Sequence, residues 1–112
     1  MKYGFLTVAA AIPSVRVADL HYNLEEIKRL IDEAEHQHVE VVVFPELSLT
    51  GYTCQDLFRQ RTLIDGAEQA VLSLLEFTMR KDVIAIGGAP VEVGNLLLNC
   101  AIVIQQGRIL GM

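Results

Sequence analysis

The chain has 112 residues, 52% hydrophobic and 21% charged, which is enough apolar material for one packed core and too little for two ordinary domains. Nine Lys plus Arg against fourteen Asp plus Glu leave a formal net charge of −5, so no basic stripe can neutralise a phosphate backbone, and nucleic acid is not an expected partner. Cys54 and Cys100 lie far apart and make neither a C-x-x-C pair nor a Cys/His metal spacing, a usage that suits a reducing cytoplasm better than a disulfide-stapled secreted domain.

Lys2 followed by Phe5 to Ile12 loosely copies a signal peptide, but a single Lys is a weak positive region and Gly4 interrupts the start. The same run, bounded by Gly4 and Pro13, reads as a strand covered on both faces. No other apolar run approaches the length of a membrane span, so no membrane partner is expected. Asp19 is placed to cap a helix whose apolar residues Leu20, Leu24, Ile27, Ile31 and Ala34 recur at three-four spacing as far as about Gln37. On its wet face, Glu25 with Arg29 and Lys28 with Asp32 have the spacing of ion pairs.

Val39 to Phe44 is β-branched and almost wholly apolar, a second buried strand halted by Pro45. Strand, helix, strand implies a parallel pair with a right-handed crossover. Leu47 to Arg61 is irregular, with a short helical turn at Asp56-Leu57-Phe58. A second amphipathic helix follows from about Asp65 or Gly66, its buried stripe marked by Ala67, Val71, Leu74 and Thr78. Val83 to Ile86 reads as a third strand and Gly87-Gly88-Ala89-Pro90 as a turn. Two hairpins follow, one turning at Gly94-Asn95 between Pro90–Val93 and Leu96–Ile104, the other at Gln105-Gln106-Gly107 into Arg108-Ile109-Leu110.

These elements predict an α/β fold with a mixed sheet and helices on one face. The strands are apolar throughout, so a second sheet or another subunit is expected to cover the other face. With Gly111-Met112 ending in mid-strand, the chain is expected to be a fragment.

Glu46 follows directly on a strand and its Pro45 stop, and ligands of α/β sheets bind at the carboxyl ends of strands. Burial beside Phe44 and Leu47 would raise its pKa towards the range of a base working at neutral pH. Position alone weighs this equally against a carboxylate that merely caps the turn to Leu49-Thr50-Gly51.

The run Val42-Val43-Phe44-Pro45-Glu46-Leu47-Ser48-Leu49-Thr50-Gly51-Tyr52 resembles the first signature of the carbon-nitrogen hydrolase, or nitrilase, superfamily. Gly87-Gly88-Ala89-Pro90-Val91 and Asn99-Cys100-Ala101 resemble later runs of that family, so the resemblance spans nearly the whole chain. Three stretches are most similar to the glutaminase domains of glutamine-dependent NAD synthetases. They are Tyr3-Gly4-Phe5 with Val8 to Pro13, Val17-Ala18-Asp19 with Tyr22-Asn23, and Leu49 to Phe58, of which the Asp56-Leu57-Phe58 extension discriminates most.

The resemblance implies the N-terminal part of an αββα sandwich, with residues 1–112 forming the first portion of a single glutamine amidotransferase domain. It also implies a Glu-Lys-Cys triad in which Glu takes the thiol proton, Cys attacks the side-chain amide of glutamine and Lys helps hold the oxyanion. Only Glu46 maps onto that triad; the Lys is expected just beyond the strand that begins at Arg108, and the Cys further on. The fragment alone is therefore expected to be inactive. The resemblance further implies no cofactor in this domain, ATP and magnesium in a C-terminal synthetase domain of the same chain that receives the ammonia, and a homo-oligomer. A freestanding amidase or carbamoylase of the superfamily, or a catalytically dead assembly module, are the alternatives.

Among other candidates, Tyr52 is the residue placed to line the substrate pocket, set against a loop aromatic that only packs on the core. Cys54, in the loop after the Glu46 signature, is a poor substitute nucleophile, Lys81 at a helix end is not the family lysine, and Cys100 reads as a small buried strand residue. His21, His36 and His38 lack the spacing of a helical metal pair, and Gly87-Gly88 is neither a Walker loop nor a dinucleotide fingerprint, so no metal is expected.

Overall fold

A computed structural model describes residues 6–14, 16, 19–45, 61–94 and 96–112, with the side chains of 61–63, 96 and 97 left aside. The chain runs β1 (Val8–Ala10), α1 (Leu20–His36), β2 (Val41–Val43), α2 (Arg61–Phe77), β3 (Ile84–Val93), β4 (Leu96–Gln105) and β5 (Arg108–Gly111). The strands form one mixed sheet in sequence order. β1, β2 and β3 are parallel, Val42 facing Ala9 on one side and Ala85 on the other, while β3, β4 and β5 are antiparallel.

Both helices lie on the sheet face that presents Val42, Ala85, Ile102 and Ile104. There Ile27, Ile31 and Ala34 of α1 and Ala70, Val71 and Leu74 of α2 complete one buried cluster. The three-four spacing read from the sequence is what aims these residues inward. The opposite face carries Val8, 56% exposed, and Val43, 36% exposed, with Ile12 beyond the end of β1 at 87%. Among the described residues β1 is covered on one face, through Ala9, in keeping with the expectation that cover for the other face is supplied from outside them. No helix among the described residues is long and apolar enough to cross a membrane.

α1 begins as expected, with the Asp19 carboxylate accepting from the Tyr22 N–H at 3.1 Å. Its ion pairs differ from the expected i,i+4 set. Arg29 pairs with Glu26 at 3.1 Å and Glu33 at 3.6 Å, and Asp32 pairs with Lys81. The Lys28 ammonium lies 5.6 Å from the Phe77 ring centre. Tertiary neighbours thus claim Lys28 and Asp32, which local spacing pairs with each other, whereas Arg29 keeps partners within α1.

Two further boundaries depart from expectation. α2 starts at Arg61, four residues ahead of Asp65, and runs through Gly66, where an added Cβ would stand 2.5 Å from Leu20 Cδ1. The missing side chain there lets α1 approach. β3 continues through Gly87-Gly88-Ala89-Pro90 without turning, each residue paired with β4 from Ile102 to Asn99. Pro90 is tolerated because β3 pairs with β2 only over Ile84–Ile86, so its missing N–H faces no described strand. The first hairpin falls where expected, with Val93 paired to Leu96, whereas the second turn is one residue tighter than expected, because Gln105 stays in β4 and pairs with Arg108. In the second, Gln106 at φ 50° and Gly107 at φ 77° give the left-handed pair of a two-residue type I′ turn.

Candidate functional site

β2 is stitched into the sheet to its last residue and just beyond. Ala11 N–H donates to Val43 O at 2.9 Å, and Phe44 N–H donates to Ile86 O at 2.8 Å. Phe44 is buried among the core, whereas Pro45 is exposed and has no N–H with which to extend the ladder. A hollow of about 320 Å³ opens here, bordered by Val43, Phe44 and Pro45 on one side and by Ile86 to Gly88 and Asn99 to Ala101 on the other. It exists because β2 stops while β3 and β4 run on, and because Gly87 and Gly88 carry no side chains. The carboxyl end of a parallel strand is where α/β sheets hold their ligands.

The border is apolar apart from Asn99 and the thiol of Cys100. Asn99 is exposed, on the uncovered sheet face with Ala101, opposite Pro90 and beside the pair formed by Gly88 and Ala101. Cys100 is a half-buried free thiol that pairs with Ala89 on the helix side. Sequence reasoning passed over Asn99 as a functional group. Its signal was available, since it is the one amide inside the apolar run Leu96–Ile104, where asparagine is disfavoured.

The connection from β1 to α1 is braced at the same end of the sheet. Asn23, 1% exposed, accepts from Arg16 N–H and donates to Arg16 O, both at 2.8 Å. The Arg16 guanidinium stacks 4.0 Å from the Tyr22 ring centre, and Tyr22 OH donates to Ser14 Oγ at 2.9 Å. This brace was also missed, although a polar residue at a buried helical position, four before Ile27, announces it.

The sequence-derived candidates divide in two. Glu46, Tyr52 and Cys54 lie outside the described residues. Lys81 lies at the other end of the sheet, just ahead of β3, with its ammonium on Asp32 and 4.6 Å from the Phe77 ring centre. His21, His36 and His38 are exposed, and no three His, Cys, Asp or Glu side chains converge among the described residues. The hydrogen bond from Arg29 holds the Glu26 carboxyl below its usual range against the opposing effect of desolvation, with smaller help from the Arg29 charge and the Ser14 backbone; this occurs on α1, not at the hollow.

Comparison with known proteins agrees with this arrangement. The carbon-nitrogen hydrolase profile matches residues 7–111. A glutamine-dependent NAD(+) synthetase of Mycobacterium leprae (strain TN) is 31% identical over 109 residues, 97% of this chain and 16% of the relative, so the chain spans about a sixth of that protein's length. The crystal structure of a glutamine-dependent NAD(+) synthetase from Cytophaga hutchinsonii superposes with a TM-score of 0.81 at 28% identity, covering 93% of this chain and 18% of the other. An amidase from Nesterenkonia sp. AN1 shares the fold, with a TM-score of 0.85 at 18% identity over 99% of this chain and 43% of the other. The mixed five-stranded sheet with its two helices is a nitrilase-like layer, and the chain belongs to the carbon-nitrogen hydrolase family.

Proposed function

We propose that residues 1–112 are the first portion of a glutaminase domain that releases ammonia from the side-chain amide of glutamine, with Glu46 as general base. The observation that carries this reading is the hollow at the carboxyl end of β2, bordered by Pro45, the residue immediately before Glu46. The relatives named as glutamine-dependent NAD(+) synthetases support glutamine as substrate.

The chemistry follows from the substrate. An amide is a poor electrophile, so a thiol must lose its proton beside it and the developing oxyanion must meet donors already in place. Glu46 takes the proton of a Cys supplied by the chain beyond residue 112, and sulfur bonds to the amide carbon. A Lys from the same missing part holds the oxyanion. The proton then passes to the departing nitrogen, ammonia leaves, and water hydrolyses the thioester to glutamate. Tyr52 lines the substrate pocket in this reading. A C-terminal synthetase domain using ATP and magnesium consumes the ammonia.

Incubation of the intact protein with glutamine tests the reading. Equal release of glutamate and ammonia is expected, and NAD should form once ATP and nicotinic acid adenine dinucleotide are added. An intact, folded protein that leaves glutamine untouched would overturn it.

A further inference from the structure

We propose that Asn99 sets the preference of the hollow for a carboxamide, its Oδ1 accepting a hydrogen bond from the –NH2 of a small amide bound there. The inference rests on reading this hollow as the site of amide hydrolysis.

At about 320 Å³ the hollow is at the small end of the range of small-molecule sites, roughly 300–1,000 Å³. Such sites are mostly apolar, and a few placed polar groups fix orientation and selectivity. Its described border has one strong polar side chain. Val43, Phe44, Pro45, Ile86 and Ala101 are apolar, Gly87 and Gly88 have no side chain, and the Cys100 thiol is a weak hydrogen-bonding group. Any described side chain that senses the difference between an amide and an isosteric ester must therefore be Asn99.

The register gives it room to do so. Side chains two apart along a strand, and those directly opposite, share a face. Towards the hollow, Asn99 has Ala101 along its own strand, Pro90 opposite and Gly88 diagonally across, all small or compact, while Leu97 and Glu92 occupy the corresponding positions on its far side. Asn99 already takes part in an interaction within the fold. A carboxamide has two donor hydrogens and two acceptor lone pairs, so it can serve a ligand beside a partner within the fold. An asparagine in the middle of an apolar strand is otherwise disfavoured, which a binding role explains.

The test compares glutamine with the γ-methyl ester of glutamate, which has the same acyl group but no N–H to donate. Both are assayed on single preparations of the intact protein and of its Asn99→Ala variant. The proposal expects kcat/KM for glutamine to fall about two- to tenfold further than kcat/KM for the ester, the effect of one neutral hydrogen bond. A merely structural asparagine would lower both in the same proportion, because a smaller folded fraction scales both rates alike. Should Asn99→Ala be too poorly folded to assay, the same ratio is read on Asn99→Ser. Equal losses, or none, overturn the proposal while leaving the glutaminase reading intact. Failure of the unsubstituted protein to hydrolyse either substrate overturns that reading itself.

Discussion

Asn23 and Arg16 clasp each other through two 2.8 Å hydrogen bonds, the side-chain carbonyl of Asn23 taking the Arg16 N–H and its amide donating to the Arg16 carbonyl. One buried carboxamide thereby satisfies both backbone groups of a residue that belongs to no helix or strand. The segment between β1 and α1 is held at the carboxyl end of the sheet, beside the hollow's end of β2. Asn23→Ala removes both bonds and leaves the Arg16 N–H without this partner, while the Arg16 carbonyl keeps the Asp19 N–H at 3.2 Å, and the loss costs about 1–3 kcal/mol. Urea denaturation of variant and parent checks this; a difference within about 0.5 kcal/mol, the range of an ordinary surface substitution, would show that the clasp is dispensable.

Gly94 and Gly107 both have positive φ, at 59° and 77°, but their surroundings differ. A Cβ at Gly94 meets nothing within 4 Å, whereas one at Gly107 would stand 2.7 Å from Met79 Cγ and 3.2 Å from Leu75 O. Gly94→Ala therefore costs only the left-handed conformation, about 1–2 kcal/mol. Gly107→Ala adds a clash with the Met79 side chain and a tight approach to the Leu75 carbonyl of α2, and disturbs the 3.2 Å bond from Gly107 N–H to the buried Thr78 hydroxyl. Thermal denaturation should rank Gly107→Ala as the more damaging change; the reverse order would mean that the second hairpin does not lean on α2 as described.

Much of this architecture was legible in the sequence. Asp19, the stripe from Leu20 to Ala34 and the Gly94-Asn95 hairpin are local signals that the structure keeps, and the second hairpin returns within the expected turn, one residue tighter. The misreadings share one physical cause. Gly87-Gly88-Ala89-Pro90 has turn chemistry, but nine consecutive pairs between Ala85–Val93 and Leu96–Ile104 hold it in a strand. Gly66 looks like a helix start, yet it sits inside α2, packed against the Leu20 side chain of α1. Lys28 and Asp32 have the spacing of a helical pair, yet Asp32 is drawn to Lys81, distant in sequence. Contacts from far along the chain overrule local preference in each case. At the candidate site, the polar border residue Asn99 carried a readable signal, whereas the hollow itself arises from β2 stopping short of its neighbours, which no single segment encodes.

Glu26 gives a pH signature with a definite sign. Its carboxyl is held below its usual range chiefly by the Arg29 hydrogen bond. A group with a depressed folded pKa adds stability above its unfolded pKa, and that stability is lost as pH falls through the folded pKa. The denaturation midpoint of the parent should thus fall more steeply than that of Glu26→Gln as pH drops below the ordinary glutamate range. Added salt should shrink the difference, since the pair is exposed. Parallel pH profiles would remove Glu26 from the account.

The uncovered sheet face predicts how the 112-residue chain behaves by itself. Val8, Ala10, Val43 and Ala101 present apolar side chains on it, and no described element covers them. Contiguous apolar surface of this kind drives association. The isolated chain should sediment as more than a monomer or bind a hydrophobic dye. A monodisperse monomer that ignores the dye would contradict that expectation.

Glu46→Gln in the intact protein tests the central claim most directly. The amide keeps the size of the carboxylate but cannot accept the thiol proton. Positioned proton transfer contributes about a hundred- to ten-thousandfold in rate, so glutamine-dependent turnover should fall at least a hundredfold, while synthesis fed with free ammonium on the same preparation continues. Loss of both activities together would make Glu46 a structural residue, and retention of both would show that it is not the base.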